Sequence, residues 1–497
     1  MRIQKGSGWS RLRAYVAAGL AMFLSFMVWS VMLVWSSGVE AKPLSSGPVV
    51  RGSVTKTLAS NWPSFRGPGG NGVAVGAELP DRFDVDDGTN LAWRQEIPGL
   101  AHASPIIWED RVYVTSVVTS GPPQRFIAEL PDTPESVAGR WLHRWIVMAI
   151  DKHTGDVLWE RIAAEGTPRT GRLRKGSFNN STPATDGQHI VALLGSQGLF
   201  CYDVNGNLLW RVDLGVLDAG WFFDPTFQWG MTSSPVIHEG KVIVQADVRG
   251  GAFIAAFDVV NGTELWRTAR DEVSSFSTPA IIRTNGVSEV VTNGGRAVRA
   301  YGLANGEELW TLRPSSEIAV PTPIFAHGLI FVGSGYLPQQ PFYAVRPGGV
   351  GDISLPSGQG SSPQVVWTLA DAGPLISTPI VVGDYLFIMQ RDGTLSCFDA
   401  ITGIPIYTER IGAPELADET SLPRTEESLA TYTASPVASN GKLYVVSDLG
   451  DIHVIDAGPF LEILGTYSVG EGVFSTPAIS DGMFLVRGLD HLFAFSR

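Results

Sequence analysis

The sequence predicts an all-β fold: an eight-bladed propeller of four-stranded antiparallel blades, closed by an N-terminal strand and preceded by one hydrophobic helix. Three observations predict it. A Ser-, Thr- or Ala-rich dipeptide before proline recurs eight times, a tryptophan ends many of the units so marked, and one tryptophan-bearing strand precedes the first unit without a blade of its own. Self-similarity at this period marks a repeat architecture, in which each unit buries its apolar face only against its neighbours.

The chain begins with a basic segment, Arg2, Lys5, Arg11 and Arg13, followed by 22 uncharged and mostly apolar residues from Ala14 to Trp35. That run is long enough to span a bilayer as a helix. Val39-Glu40-Ala41 before Lys42 is a passable small-residue cleavage site. With the basic flank held on the cytoplasmic side, everything after residue 41 is expected to be exported. The protein is then either anchored by helix 14–35 or released near Ala41. Residues 42–60 carry no apolar periodicity and read as a flexible linker, which leaves 61–497 for the propeller. The whole chain carries −13 and residues 1–41 carry +3, so the exported part carries −16, which argues against nucleic-acid binding, since that needs a basic surface.

The eight markers are Ala103-Ser104-Pro105, Ser181-Thr182-Pro183, Ser233-Ser234-Pro235 and Ser277-Thr278-Pro279, then Pro321-Thr322-Pro323, Ser377-Thr378-Pro379, Ala434-Ser435-Pro436 and Ser475-Thr476-Pro477. After each proline come short apolar runs separated by Asp, Asn and Gly turns, the signal of an antiparallel meander. Proline fits a strand start, where its missing N–H costs no ladder bond. Trp266, Trp310 and Trp367 lie 13, 13 and 12 residues before the next marker proline, and Trp93 lies 12 before Pro105. The segment around Trp93 is therefore a fourth strand, while the last unit has only three. Their pairing closes the ring and leaves no open edge. Cys201 and Cys397 each fall 18 residues after their unit's proline, on third strands of blades 2 and 6. Those blades face each other across the ring, too far for a disulfide.

The stretches AIDKHTGDVLW (149–159), AFDVVNGTELW (256–266) and AYGLANGEELW (300–310) resemble the tryptophan-docking repeat of quinoprotein-type, pyrroloquinoline-quinone-like propellers. CFDAITGIPIY (397–407) is a weaker copy with Tyr407 in the tryptophan place, and WPSFRGPGGNG (62–72) is similar to the opening of exported members. The resemblance implies eight blades and structural docking tryptophans. It covers two functional classes: quinone-dependent alcohol or sugar dehydrogenases, and non-catalytic scaffolds of the outer-membrane-assembly type. The alcohol dehydrogenases carry an adjacent-cysteine disulfide and a calcium ion held by oxygen ligands. This sequence has no Cys-Cys pair and no matching Glu–Asn–Asp set. Asp203, Asp399 and Asp456, each 20 residues after a marker proline, read as turn acceptors. The eight histidines lack metal-ligand spacing, and no Gly-x-Ser-x-Gly elbow appears. No catalytic, metal or cofactor residue is assigned. The expected function is an exported, membrane-tethered, non-catalytic propeller that binds a protein or polysaccharide. The alternative is a dehydrogenase using pyrroloquinoline quinone with calcium.

Extra residues at 119–144, 335–342, 162–180, 212–231 and 408–432 fall on connections of one face of the disc; only 347–365 belongs to the other. Binding residues concentrate on loops held by a rigid scaffold. The 162–180 insertion supplies Arg169, Arg172, Arg174 and Lys175, and the 212–231 insertion supplies Trp221, Phe222, Phe223, Phe227 and Trp229 around Asp224. Arginine and aromatic anchors dominate interface hot spots. The candidate partner-binding set is therefore Arg169, Arg172, Arg174, Lys175, Trp221, Phe222, Phe223 and Trp229.

Overall fold

The structure, a computed structural model, describes residues 61–122, 136–224, 226–411 and 430–497. The expected helix 14–35, the cleavage site at Ala41 and the linker 42–60 lie outside the described residues, as do parts of the 119–144 and 408–432 insertions. Among the described residues no helix is long and apolar enough to cross a membrane.

Eight antiparallel four-stranded sheets follow one another in chain order, each running from an inner strand to an outer one. Every inner strand begins directly after a marker proline, as at Ile106–Trp108, Val236–His238 and Ile380–Val382. The eighth blade takes Ala478–Ser480, Met483–Arg487 and His491–Phe495 from the end of the chain and Leu91–Glu96 from its beginning. Trp93 pairs with Ala494 and Arg94 with Phe493, so the ring closes as the tryptophan spacing predicts. Lys152, almost fully buried, reaches Asp481 of blade 8 at 2.8 Å across the same seam. The core is distributed between neighbouring blades, as in the cluster that joins Val454, Phe484, Phe495 and Met148.

The docking tryptophans hold adjacent blades together. The indole N–H of Trp93 donates to Lys152 O at 2.7 Å, Trp159 to Val204 O at 3.0 Å and Trp210 to Val259 O at 2.8 Å. Trp266 and Trp367 repeat the bond to Leu303 O and Ala400 O. Each ring lies on the turn between the third and fourth strands of the next blade. Gly206 and Gly262 hold positive φ in two of those turns, and an added Cβ would stand 2.7 Å from Trp159 and Trp210. The turn aspartates accept from backbone, Asp203 from Asn205 and Asn207 N–H and Asp399 from Ile401 and Thr402 N–H. Cys201 and Cys397 are buried free thiols, raised to about 12 by burial.

Three features go beyond the predicted plan. In blade 5 the 347–365 insertion replaces the docking turn, and Gly351–Asp352 adds a parallel strand to blade 4 beside Trp310–Thr311. Trp310 therefore donates to Glu289 Oε2, at 2.9 Å, while Glu289 Oε1 accepts Gly348 N–H at 2.6 Å. Val73–Ala74 adds a second parallel strand, on the inner edge of blade 7. Ser136–Val137 and Arg172–Leu173 form a small ribbon of their own.

Candidate functional site

The residue before each marker proline is Ser or Thr in all eight units, and the structure gives the reason. These hydroxyls line the central channel. In seven of the eight units the N–H of this residue donates to the hydroxyl of its counterpart in the next blade. Ser104 N–H bonds Thr182 Oγ1 at 3.0 Å, Thr182 N–H bonds Ser234 Oγ at 3.0 Å, and Ser234 N–H bonds Thr278 Oγ1 at 3.0 Å. Thr322 continues to Thr378 at 3.0 Å, Thr378 to Ser435 at 2.9 Å, Ser435 to Thr476 at 3.1 Å, and Thr476 returns to Ser104 at 3.0 Å. Seven of eight links are made. At the eighth, Thr322 Oγ1 is buried without a partner, beside Pro321 where the other units have Ser or Ala.

Strand alternation turns the residue two positions upstream toward the same axis. There Phe276, Val320 and Ile376 form an apolar sector on blades 4 to 6, and Thr433, His102 and Asn180 line the more polar part. The His102 ring packs on Phe474 at 4.9 Å between centroids and meets Lys175 O at 2.8 Å through Nε2. Burial, with Arg487 and Arg172 nearby, pulls it down to about 4, so the imidazole is neutral at pH 7.

The channel is closed at its other end. Residues 62–72 run across the disc: Trp62 pairs with Ile107 of blade 1, Thr185 N–H of blade 2 bonds Pro63 O, and Phe325 N–H of blade 5 bonds Asn71 Oδ1. All these contacts lie beyond the marker prolines, on the face away from the long loops. Phe65 forms the floor of the cavity. Arg66, fully buried, donates to Pro436 O and Pro379 O at 2.9 Å each and to Gly70 O and Asn71 O. Burial lowers it to about 9, and backbone carbonyls take the place of a carboxylate. The result is a blind funnel of about 570 Å³ that opens among the long loops.

Three insertions meet at that opening. Ser136 of 119–144 pairs with Leu173 of 162–180, and Gln228 of 212–231 exchanges hydrogen bonds with Ser136 through N–H and C=O. The predicted residues separate by role. Arg174 and Lys175 line the funnel, as does Trp229. Arg169 is engaged by Asp213 in a two-pronged ion pair at 3.0 and 3.2 Å. Arg172 is buried and turns inward to donate to Leu173, Arg174 and Gly176 carbonyls, with burial lowering it to about 10. Trp221 stacks on Trp229 at 6.3 Å and both pack on the core between blades 2 and 3. Phe222 lies against Phe223, which is 66 % exposed. Tyr336 of the 335–342 insertion also reaches the funnel, as do Arg391 and Phe474, which sit on short connections without any sequence signal except their place just after a second strand or just before a marker.

The cavity does not fit a calcium–quinone pair. Among its described lining residues there is no Asp or Glu to ligate a hard cation, and the two cysteines sit in separate blades. Among the described residues no group of three or more His, Cys, Asp or Glu stands close enough to hold a metal.

Comparison with known proteins agrees with this architecture. The chain is 27% identical over 130 residues to outer membrane protein assembly factor BamB of Burkholderia pseudomallei, a stretch covering 26% of this chain and 29% of that one. The match thus spans less than a third of the relative's length. Among solved structures, quinohemoprotein alcohol dehydrogenase of Comamonas testosteroni superposes with a TM-score of 0.56 at 12% identity, covering 89% of this chain and 81% of that chain. The corresponding enzyme of Pseudomonas putida HK5 gives 0.54, also at 12% identity over 89% of this chain and 81% of its own. At such identity the likeness is one of fold alone. The family model described as outer membrane protein assembly factor BamB matches residues 143–409, more than half of the sequence, and the chain belongs to that family.

Proposed function

We propose that the protein is an extracytoplasmic, non-catalytic scaffold that binds a protein partner on the long-loop face. The apolar run 14–35 tethers it to the membrane. The observation that carries the reading is the convergence of three insertions from blades 1 to 3 around the funnel mouth, where Arg174, Lys175 and Trp229 stand together. A rigid ring presenting adjacent basic and aromatic groups suits an acidic protein segment. The family's description as an assembly factor supports a role in holding other proteins. The absence of carboxylates among the described funnel residues favours binding over quinone chemistry.

Because Arg172 caps backbone carbonyls, the informative charge reversals are Arg174→Glu and Lys175→Glu. Together they should reduce recovery of the co-purifying partner about tenfold and flatten its salt dependence, with the melting temperature unchanged. A partner recovered equally well by the double variant and by Phe223→Ala removes this face from the proposal. Recovery of a polysaccharide in place of a protein replaces the partner class.

A further inference from the structure

We infer that the face opposite the long loops carries a second docking site, a pocket between blades 4, 5 and 6 that receives an arginine side chain from an apolar segment of a partner protein. The site is separate from the long-loop face and stands whether or not that face holds a partner.

The site grows out of an irregularity in the repeat. Trp93, Trp159, Trp210, Trp266 and Trp367 each donate to a main-chain carbonyl of the next blade. Trp310 donates instead to a side chain of its own blade, Glu289, which also takes Gly348 N–H. A neutral amide oxygen, with two lone pairs, would satisfy both donors. The carboxylate satisfies them too, but leaves a negative charge on a residue only 2% exposed, with no ion pair to any described residue. A charge buried without a counter-charge is costly, and a cation supplied from outside offsets that cost. Both oxygens keep lone-pair capacity for it.

A cavity of about 600 Å³ leads to this carboxylate. Leu329, Pro347 and Val366 wall it, and Val287 and Ile401 stand at its rim. Val287 is 60% exposed, Ile401 46% and the neighbouring Val350 86%. Apolar side chains held out in water around a concavity mark an interaction surface. The cavity's own basic groups are turned elsewhere: Arg346 Nη1 donates to Pro363 O at 2.8 Å, and His327 Nε2 meets Gly383 O of blade 6 at 2.7 Å. A hard metal ion needs six or more oxygen ligands, and among the described residues no carboxylate cluster supplies them. A guanidinium is weakly hydrated and matches the two oxygens of one carboxylate, while its stem lies along the apolar wall. A free polyamine would gain nothing from Val287, Val350 and Ile401, whereas apolar residues flanking an arginine would cover them.

Fluorescence polarisation with the full-length protein tests the assignment. The probes are a labelled peptide with one arginine between valines and its citrulline counterpart, in which the same side chain is neutral. The arginine peptide should bind saturably at one site and about tenfold or more tighter than the citrulline peptide, since pairing with a buried charge is lost in the latter. Glu289→Gln should erase the difference between the two peptides. Ile401→Lys, at an exposed turn, should weaken the arginine peptide several-fold with the melting temperature unchanged. The arginine-to-citrulline comparison needs only the unmodified protein, so a Glu289 variant that fails to fold does not blunt the test. Absence of saturable binding, equal binding of the two peptides, or arginine binding indifferent to Ile401→Lys overturns the inference.

Discussion

The ring of hydroxyls makes a residue-level distinction that can be measured. Thr378 Oγ1 accepts Thr322 N–H, so Thr378→Val leaves a buried N–H without a partner and should cost about 1–3 kcal/mol. Thr322 has the same type and burial but its Oγ1 accepts nothing, so Thr322→Val should cost less than about 0.5 kcal/mol. Equal losses in chemical denaturation would remove the hydroxyl links from the account of stability. Histidine supplies a second contrast. Burial holds His102 down to about 4 and also lowers His143 and His453. Depressed imidazoles bind protons more readily in the unfolded chain, so their contribution is full above the ordinary value of about 6.5 and is lost as pH falls from there toward 4. The melting temperature should fall through that window, and His102→Gln should shrink the fall; an identical pH profile for the variant would exclude His102. The eight hydroxyls were open to view in the sequence, one before every marker proline. They are obscured when the marker is read as a loose Ser/Thr/Ala dipeptide, because the outward-turned first position varies while the inward one does not. Arg172 misleads for another reason: a basic run in sequence does not tell which guanidinium turns inward to cap its own loop.

At the scale of the element, the docking turn is the unit that sequence reveals best. Tryptophan, Asp and Gly recur at fixed offsets because the indole needs a flat, Cβ-free surface and a carbonyl within reach. Gly262→Ala should destabilise by about 2 kcal/mol or more, since φ of +74° is strained for alanine and the methyl group meets Trp210. Blade 6 ends in Tyr407, whose buried hydroxyl has no partner. Tyr407→Phe should therefore be neutral or raise the melting temperature, the opposite sign to the usual loss on removing a bonded hydroxyl. A clear loss would mean that the hydroxyl is bonded in solution. Where the repeat is interrupted, the sequence marks an insertion and no more. The added strand Gly351–Asp352 and the new partner Glu289 follow from backbone left unpaired at the edge of blade 4, and no periodic pattern encodes them.

For the whole molecule, the closure was legible from tryptophan spacing alone, whereas the axial segment 62–72 was not. Its contacts lie up to 370 residues away, as from Arg66 to Pro436, and it has neither strand alternation nor turn regularity to announce them. Deleting residues 88–100 should lower the melting temperature sharply or prevent folding, because blade 8 loses its outer strand and the ring loses its seam. An unaltered melting temperature would contradict the pairing of Leu91–Glu96 with His491–Phe495.

That pairing also fixes an order of events during synthesis. Of the strands that make up the eight four-stranded blades, the one that carries Trp93 is the first to leave the ribosome, and its partner around Ala494 is the last, about 400 residues later. At 5–20 residues per second this is a delay of roughly 20–80 s. Blades 1 to 7 can assemble on the growing chain while the earliest strand waits with an exposed edge, guarded only by the alternating charges of Arg94 and Glu96. Until His491–Phe495 emerges the chain can hold seven complete blades and no closed ring, and for that whole interval it depends on whatever keeps unpaired strands apart.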